Sequence, residues 1–220
     1  MNRYAALLFD FGGTLDAEGV PWKARFARLF LDLAPETAQV FDRAFYDADD
    51  ALVGSIPKNL GLEGTAYRLA ADVARALGRP ELAEIVARRF LKEAQSALSR
   101  SESLLARLSP RYRLGIVSNF YGNLDAVCRE TGLARHLTAA LDSAVVGAEK
   151  PDPRIFRTAL DAVGAQAEQT IFIGDSLARD MAGARAVGIP HVWLSAEGSQ
   201  ACCSSDRIIR RLGELEEVLA

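Results

Sequence analysis

The sequence predicts an α/β fold in which helices cover both faces of a parallel sheet and a helical segment is inserted into the chain. Two observations predict this class. Residues 101–220 alternate short apolar runs with segments of helical periodicity, whereas residues 17–100 show helical patterns and no convincing strand. Alternation of strands and helices is typical of parallel sheets, because the crossover connections place helices against the sheet faces.

Short apolar segments, most of them closed by Gly, Ser or Asp, are predicted as the strands. In chain order they are Tyr4–Phe9, Leu114–Val117, Ala144–Val146, Thr170–Ile173, His191–Leu194 and an edge strand at Arg207–Ile209. Ligands bind outside the carboxyl ends of strands in open parallel sheets. The residues that follow these strands are therefore the first candidates for a site.

Helical periodicity predicts the remaining elements, and Pro153 and Gly188 mark a helix start and a helix end. The predicted helices outside the insert are Gly122–Gly132, Asp152–Val163, Ser176–Val187 and Leu212–Leu219. Those inside the insert are Lys23–Leu31, Thr37–Ala51, Thr65–Leu77 and Glu81–Leu98.

Composition and charge argue against several classes of partner. The 220 residues carry a formal net charge of -3 without a run of basic residues interleaved with aromatic ones, so we expect no nucleic acid partner. The apolar run Tyr4–Phe9 is too short for a membrane span or a signal-peptide core, so we expect no membrane partner and a cytoplasmic location.

Cys128, Cys202 and Cys203 lack metal-ligand spacing and are expected to be reduced thiols.

Four short motifs with polar or charged residues occur in chain order, three of them at the ends of predicted strands. They are Asp10-Phe11-Gly12-Gly13-Thr14, Ser118-Asn119, Lys150-Pro151, and Gly174-Asp175 with Asp180 nearby. Asp10 and Asp175 follow two parallel strands, so their carboxylates could bind one metal ion together.

These motifs, in this order, resemble those of the haloacid dehalogenase-like superfamily, and the insert resembles the helical cap of its first cap class. The resemblance covers the whole chain. It implies a Rossmann-like, doubly wound core formed by residues 1–16 and 101–220, with residues 17–100 as the cap. It also implies a hydrolase that uses Mg²⁺, and we expect a phosphatase for a small phosphorylated metabolite, as a monomer or a homodimer.

Phosphoryl transfer requires a nucleophile, a cation and donors for the phosphoryl oxygens. Asp10 is the predicted nucleophile, because a carboxylate can form an aspartyl-phosphate and divide the hydrolysis into two easier steps. Asp10 and Asp175 offer oxygen ligands for Mg²⁺. Lys150 supplies a positive charge that keeps Asp10 ionised and offsets charge on the phosphoryl group.

The resemblance implies further roles. The backbone carbonyl of Gly12 is the third metal ligand, and Asp180 orients metal-bound water or the lysine. The phosphoryl oxygens are bound by Ser118 and Asn119 and by the loop at Phe11 and Gly12. Thr14 supports that loop. Trp22, Lys58 and Asn59 are the candidate cap contacts to substrate.

Gly12 departs from the superfamily pattern, because most of its phosphatases have there a second aspartate that protonates the leaving oxygen and then activates water. Such acid–base help is worth about 10²–10⁴-fold in rate. The first interpretation is therefore a phosphatase in which Asp16, a cap residue or water takes this part, or whose substrates have good leaving groups.

Two other interpretations stay open. In the first, Asp10 attacks a carbon–halogen or carbon–phosphorus bond. The superfamily's haloacid dehalogenases have tyrosine in place of Gly12 and need no metal, and its carbon–phosphorus hydrolases have alanine there and use a cap lysine, for which Lys58 is available. In the second, the protein is a pseudo-hydrolase that only binds a phosphorylated ligand or a partner. Retention of Asp10, Lys150 and Asp175 argues against it.

Overall fold

The computed structural model describes residues 3–195 and 207–220. Its strands are β1 (Ala6–Phe9), β2 (Arg113–Ser118), β3 (Ala139–Asp142), β4 (Thr170–Gly174), β5 (His191–Leu194) and β6 (Arg207–Ile209). They form one sheet in the order β3-β2-β1-β4-β5-β6, and all neighbouring strands are parallel. The predicted α/β fold with a Rossmann-like, doubly wound sheet is confirmed.

The sheet topology places the candidate site. After β1 the chain moves outward to β2 and β3 and then returns to β4 on the other side of β1, so the winding reverses between β1 and β4. Phe9 at the end of β1 is level with Ile116 in β2 and Ile173 in β4. The residues that follow these three strands therefore meet at the reversal point, where open α/β sheets bind ligands.

The helices fall into two groups, those of the insert and those that flank the sheet. Between β1 and β2 lie α1 (Trp22–Leu31), α2 (Ala38–Leu52), α3 (Leu62–Ala76) and α4 (Ala83–Leu108). The sheet is flanked by α5 (Leu124–Glu130), α6 (Ser143–Val146), α7 (Pro153–Val163), α8 (Ala182–Ala186) and α9 (Leu215–Leu219). The predicted helical insert is present, and α4 runs through residue 100, where the predicted domain boundary falls.

The insert packs through an aromatic cluster. The side chains of Phe26, Phe30, Phe41, Phe45 and Phe90 are almost completely buried, and the Phe26 and Phe90 rings lie 4.6 Å apart between centroids. These residues recur at helical spacing on α1, α2 and α4, so each helix presents one apolar stripe to its neighbours. Burial of these large aromatic side chains stabilises the packing of the insert helices on one another.

The prediction of a strand at Ala144–Val146 is wrong, because those residues form α6 and the strand of this region is β3. The Asp142 side chain accepts a hydrogen bond from the Ala144 backbone at 3.0 Å, which caps a helical turn. Gly147 then ends that turn with a φ of 72°. This local capping outweighs the strand preference of Val145 and Val146.

The segment predicted as one helix from Ser176 to Val187 is divided. Residues 177–181 form a wider π-type turn that precedes α8. Across the described ranges, no helix is long and apolar enough to cross a membrane. Cys128 is a free, buried thiol, and Cys202 and Cys203 lie outside the described residues.

Candidate active site

Asp10 lies at the end of β1 with its side chain almost fully buried. Its Oδ1 accepts hydrogen bonds from Lys150 Nζ at 2.6 Å and from Ser118 Oγ at 3.0 Å. Its backbone N–H donates to the Ile173 carbonyl at 2.9 Å, which continues the pairing of β1 with β4. One carboxylate is thus fixed at the centre of the sheet edge, with a cation and a hydroxyl beside it.

Lys150 is buried between two carboxylates. Its Nζ lies 2.6 Å from Asp10 Oδ1 and 2.7 Å from Asp180 Oδ1. Burial by itself would lower the pKa of this lysine, but the charges of Asp10 and Asp180 outweigh burial and raise it. Lys150 therefore carries its charge at neutral pH.

Asn119 holds the backbone of Lys150 with both ends of its side-chain amide. Its Oδ1 accepts from Lys150 N at 2.7 Å, and its Nδ2 donates to Lys150 O at 3.1 Å. A contact from Asn119 to a bound phosphoryl group would come from the second N–H of Nδ2 or from its backbone N–H. The side chain ties the loop after β2 to the lysine.

Three carboxylates meet beside the lysine. Asp10, Asp175 and Asp180 each offer an oxygen, and these atoms lie within 4.8 Å of one another. Burial and then the negative charges of Asp10 and Asp180 raise the pKa of Asp175 to about 8. Asp180 also accepts from the Ser176 backbone at 3.0 Å. A divalent cation would relieve the repulsion, and carboxylate oxygens are ligands that Mg²⁺ prefers, so this donor set fits the metal.

Close packing around the acids requires glycine at two positions. Gly13 has a φ of 96°, and a Cβ there would lie 2.6 Å from Asp175 Oδ2. A Cβ on Gly174 would lie 2.4 Å from Asp180 Oδ2. Thr14, next to the first of these glycines, donates its hydroxyl to Asp175 Oδ1 at 3.1 Å. The two loops therefore interlock through the carboxylates.

Gly12 has a different reason to lack a side chain. Its φ of -76° and ψ of 111° are open to any residue. A Cβ at this position would point to the Trp22 indole, with Cδ1 and Nε1 both 3.4 Å away. The insert thus covers the position from which a second acid would project.

Asp16 is enclosed by neighbouring protein atoms and does not face the space beside Asp10. It is completely buried, and it accepts hydrogen bonds at 2.7 Å from the Gly13 backbone, Trp22 Nε1 and Arg25. Burial raises its pKa, although the Arg25 charge acts in the opposite direction. Asp16 is absent from the wall of the cavity at Asp10. The suggestion that Asp16 replaces the missing acid is therefore wrong.

A cavity of about 580 Å³ opens from Asp10 toward the insert. Its inner wall includes Asp10, Ser118, Asn119, Lys150 and Asp180, and its outer wall includes Trp22, Phe45, Asp49 and Tyr121. Trp22 thus lines the cavity, as expected. Lys58 and Asn59 are exposed and do not line it.

Several polar residues of this wall were not predicted from the sequence. Asp42, Tyr46 and Asp49 project from α2 into the cavity, and Arg179 reaches it from the turn after β4. The α2 residues are separated by four and three positions, so they lie on one helix face. In the sequence, these cavity residues were indicated only by their position as polar residues beside the apolar stripe of α2.

Comparisons with known proteins agree with this geometry. The family model described as haloacid dehalogenase-like hydrolase matches residues 4–188. The chain is similar to a phosphoserine phosphatase from Thermus thermophilus, at 36% identity over 152 residues, which are 64% of this chain and 58% of that protein. It spans 58% or less of the length of the first curated relatives it matches.

Two solved structures resemble the whole chain. One is a protein from Bacillus subtilis described as a HAD-hydrolase and solved with magnesium bound, at 24% identity and a TM-score of 0.64, with 99% of each chain covered. The other is a dehalogenase, at 21% identity and a TM-score of 0.68, with 100% of this chain and 99% of that chain covered. At these identities the likeness shows a shared fold.

Proposed function

Since this chain belongs to the haloacid dehalogenase-like hydrolase family, we propose that it is a Mg²⁺-dependent phosphatase that acts on a small phosphorylated metabolite through an aspartyl-phosphate on Asp10. The observation that carries this proposal is the buried contact of Lys150 with Asp10 and Asp180, with Asp175 in the same cluster. The phosphatase named among the relatives supports the same reaction class.

Each residue of the site has a proposed role in this reaction. Asp10 attacks phosphorus and carries the phosphoryl group, after which water releases it. Ser118 and the backbone of the loop at Phe11 and Gly12 donate to the phosphoryl oxygens, and the Lys150 charge offsets the charge that develops there. Asn119 keeps Lys150 in place, as a positioning residue.

The metal would be held by the side chains of Asp10 and Asp175 and the backbone carbonyl of Gly12. When bound, Mg²⁺ supplies positive charge to the phosphoryl oxygens. Thr14 orients Asp175 through its hydroxyl, and Asp180 orients Lys150.

Phosphate hydrolysis is favoured over the other bonds. The three carboxylates of Asp10, Asp175 and Asp180 share one buried lysine, and this excess of negative charge supports a metal-dependent reaction over a metal-independent dehalogenation. Cleavage of a carbon–phosphorus bond would need a cap lysine at the site, and Lys58 is exposed and absent from the cavity wall.

Residues 17–100 act in this proposal as a cap that excludes water and selects the substrate. Cytoplasmic location and a monomeric or homodimeric state remain predictions from the sequence. The same holds for the absence of nucleic acid and membrane partners.

A substrate panel tests the proposal. Phosphomonoesters and an acyl phosphate with leaving groups of widely different pKa are assayed with Mg²⁺ and with a chelator. We expect turnover that requires Mg²⁺ and is lost in Asp10→Asn. Turnover that survives this substitution, or chloride release from 2-chloropropionate without Mg²⁺, would contradict it.

A further inference from the structure

A substrate with a poor leaving group needs a proton on its leaving oxygen, and Gly12 has no side chain to supply it. Asp16, four residues further along the chain, is enclosed by Gly13, Trp22 and Arg25. A protein donor would therefore be another residue that lines the cavity at Asp10.

Several charged residues that line this cavity already form ion pairs with one another. Lys150 and Asp180 are paired with each other, and Lys150 is also paired with the nucleophile. Asp42 is paired with Lys23 at 2.9 Å and its side chain is 73% exposed, so it lies at the mouth of the cavity. Among the acids of the cavity wall this leaves Asp49.

Asp49 and Tyr121 form a short hydrogen bond across the contact between insert and core. Tyr121 Oη donates to Asp49 Oδ1 at 2.5 Å. The Tyr121 backbone carbonyl accepts from Gly54 N at 3.0 Å, so the loop after β2 is tied to the end of α2 at two points. This double contact fixes Asp49 relative to the core.

The Asp49–Tyr121 pair lies near Trp22, whose indole faces Gly12. The Tyr121 ring centroid is 6.3 Å from that of Trp22, and Trp22 is the residue against which a Cβ on Gly12 would point. Asp49 lines the same cavity as Asp10. A leaving group attached to a phosphoryl group at Asp10 would extend into this cavity.

The surroundings of Asp49 raise the pKa of its carboxyl group above the usual value. Burial raises it most, the hydrogen bond from Tyr121 opposes that rise, Asp50 adds to it and the Arg179 charge opposes it. A higher pKa makes a carboxyl group better suited to give a proton to an oxygen that gains negative charge.

We propose that Asp49 donates the proton to the leaving oxygen and that Tyr121 positions it; this inference rests on the proposed phosphatase function. In the first step, an Asp10 oxygen bonds to phosphorus as the bond to the leaving oxygen breaks. The electron pair of that bond stays on the leaving oxygen, which takes the Asp49 proton. In the second step, water attacks phosphorus, its proton passes to the Asp49 carboxylate, and phosphate leaves with restoration of the Asp10 carboxylate.

The test compares two substrates with different needs for a proton. Ethyl phosphate has a poor leaving group that must be protonated, whereas 4-nitrophenyl phosphate has a leaving group that departs as an anion. We expect Asp49→Asn to lower kcat/KM for ethyl phosphate by about 10²-fold or more, and for 4-nitrophenyl phosphate by less than about tenfold. Asn keeps the size of the side chain and the acceptor for Tyr121.

Tyr121→Phe and Asp47→Asn complete the series. Tyr121→Phe is expected to show the same substrate-dependent loss in smaller measure, together with a shift of the pH profile for ethyl phosphate, which a structural role alone would not produce. Asp47→Asn removes an exposed acid of α2 that does not line the cavity, and it is expected to leave the turnover of both substrates unchanged. Asp49→Ser serves if Asp49→Asn unfolds, and Mg²⁺-dependent binding of beryllofluoride reports that the site at Asp10 is intact.

The outcomes separate the two proposals. Equal losses on both substrates, or no loss on either, would overturn the role of Asp49 while the phosphatase function stands. If the unmodified protein hydrolyses neither these esters nor the wider panel with Mg²⁺, the phosphatase function fails and the role of Asp49 fails with it.

Discussion

The Trp22 indole lies where a side chain on Gly12 would project, 3.4 Å from the position of its Cβ. The same indole donates its N–H to Asp16, and this hydrogen bond fixes the orientation of the ring. The absence of a side chain at position 12 and the presence of Trp22 are therefore spatially complementary, and the indole forms part of the outer wall of the cavity.

Gly12→Asp is expected to bring no gain on alkyl phosphates. A Cβ would already contact the Trp22 ring at 3.4 Å, so a carboxylate directed further the same way would overpack the site, and overpacking of this kind costs about 1–3 kcal/mol. In Gly12→Asp with Trp22→Ala the carboxylate has room, and we expect at least about tenfold higher kcat/KM for ethyl phosphate than in Trp22→Ala alone. A gain of that size from Gly12→Asp by itself would refute the steric explanation.

Asp16→Asn is expected to lower the free energy of unfolding by about 3 kcal/mol, because the buried Arg25 guanidinium loses its carboxylate at 2.7 Å and keeps only the more distant and partly exposed Glu93 at 3.7 Å. Thermal or urea unfolding measures the change. Asp47→Asn is the matched control, since it breaks an ion pair with Arg43 whose side chains are 89% and 69% exposed, and it should change stability by less than about 1 kcal/mol. Similar effects from both substitutions would contradict the assignment.

The raised pKa of Asp175 predicts a pH-dependent stability in the metal-free protein. The carboxyl has a pKa of about 8 when folded and about 3.9 when unfolded, so the folded state binds more protons between these values. Stability from this group is complete below the lower pKa and is lost as pH rises through the higher one.

Thermal unfolding in a chelator, from about pH 5 to about pH 9, measures this effect. The Tm of Asp175→Asn should exceed that of the unmodified protein by a margin that grows with pH, because the amide never becomes charged. Added Mg²⁺ should raise the Tm of the unmodified protein most at the alkaline end. A margin that is constant with pH would show that Asp175 ionises normally.

Cys128 is expected to resist alkylation in the folded protein. Burial raises the pKa of its thiol to about 12, so almost no thiolate is present at pH 8. Mass spectrometry of the Cys128 peptide should show iodoacetamide labelling more than about a hundredfold slower in native buffer than in guanidinium chloride. Equal rates in the two solvents would mean that the thiol is accessible.

Much of the fold was predictable because the strands at β1, β2 and β4 are continuous apolar runs, as expected for strands buried on both faces. The strand near residue 140 was missed because β3 is only half-buried and short, so Ala139–Asp142 has little hydrophobic signal. The insert helices were predicted from their periodicity, although α4 extends ten residues beyond its predicted end at Leu98.

The sequence by itself placed Asp10, Ser118 and Asp175 at one edge of the sheet, because the ends of adjacent parallel strands meet there whatever the loops do. Only the tertiary structure enclosed Asp16, set Trp22 against Gly12 and joined Asp49 to Tyr121, which is 72 positions away. Such contacts depend on how the insert packs on the sheet. Local periodicity defines which face of a helix is apolar, but the partner of that face is decided by the close packing of the whole chain.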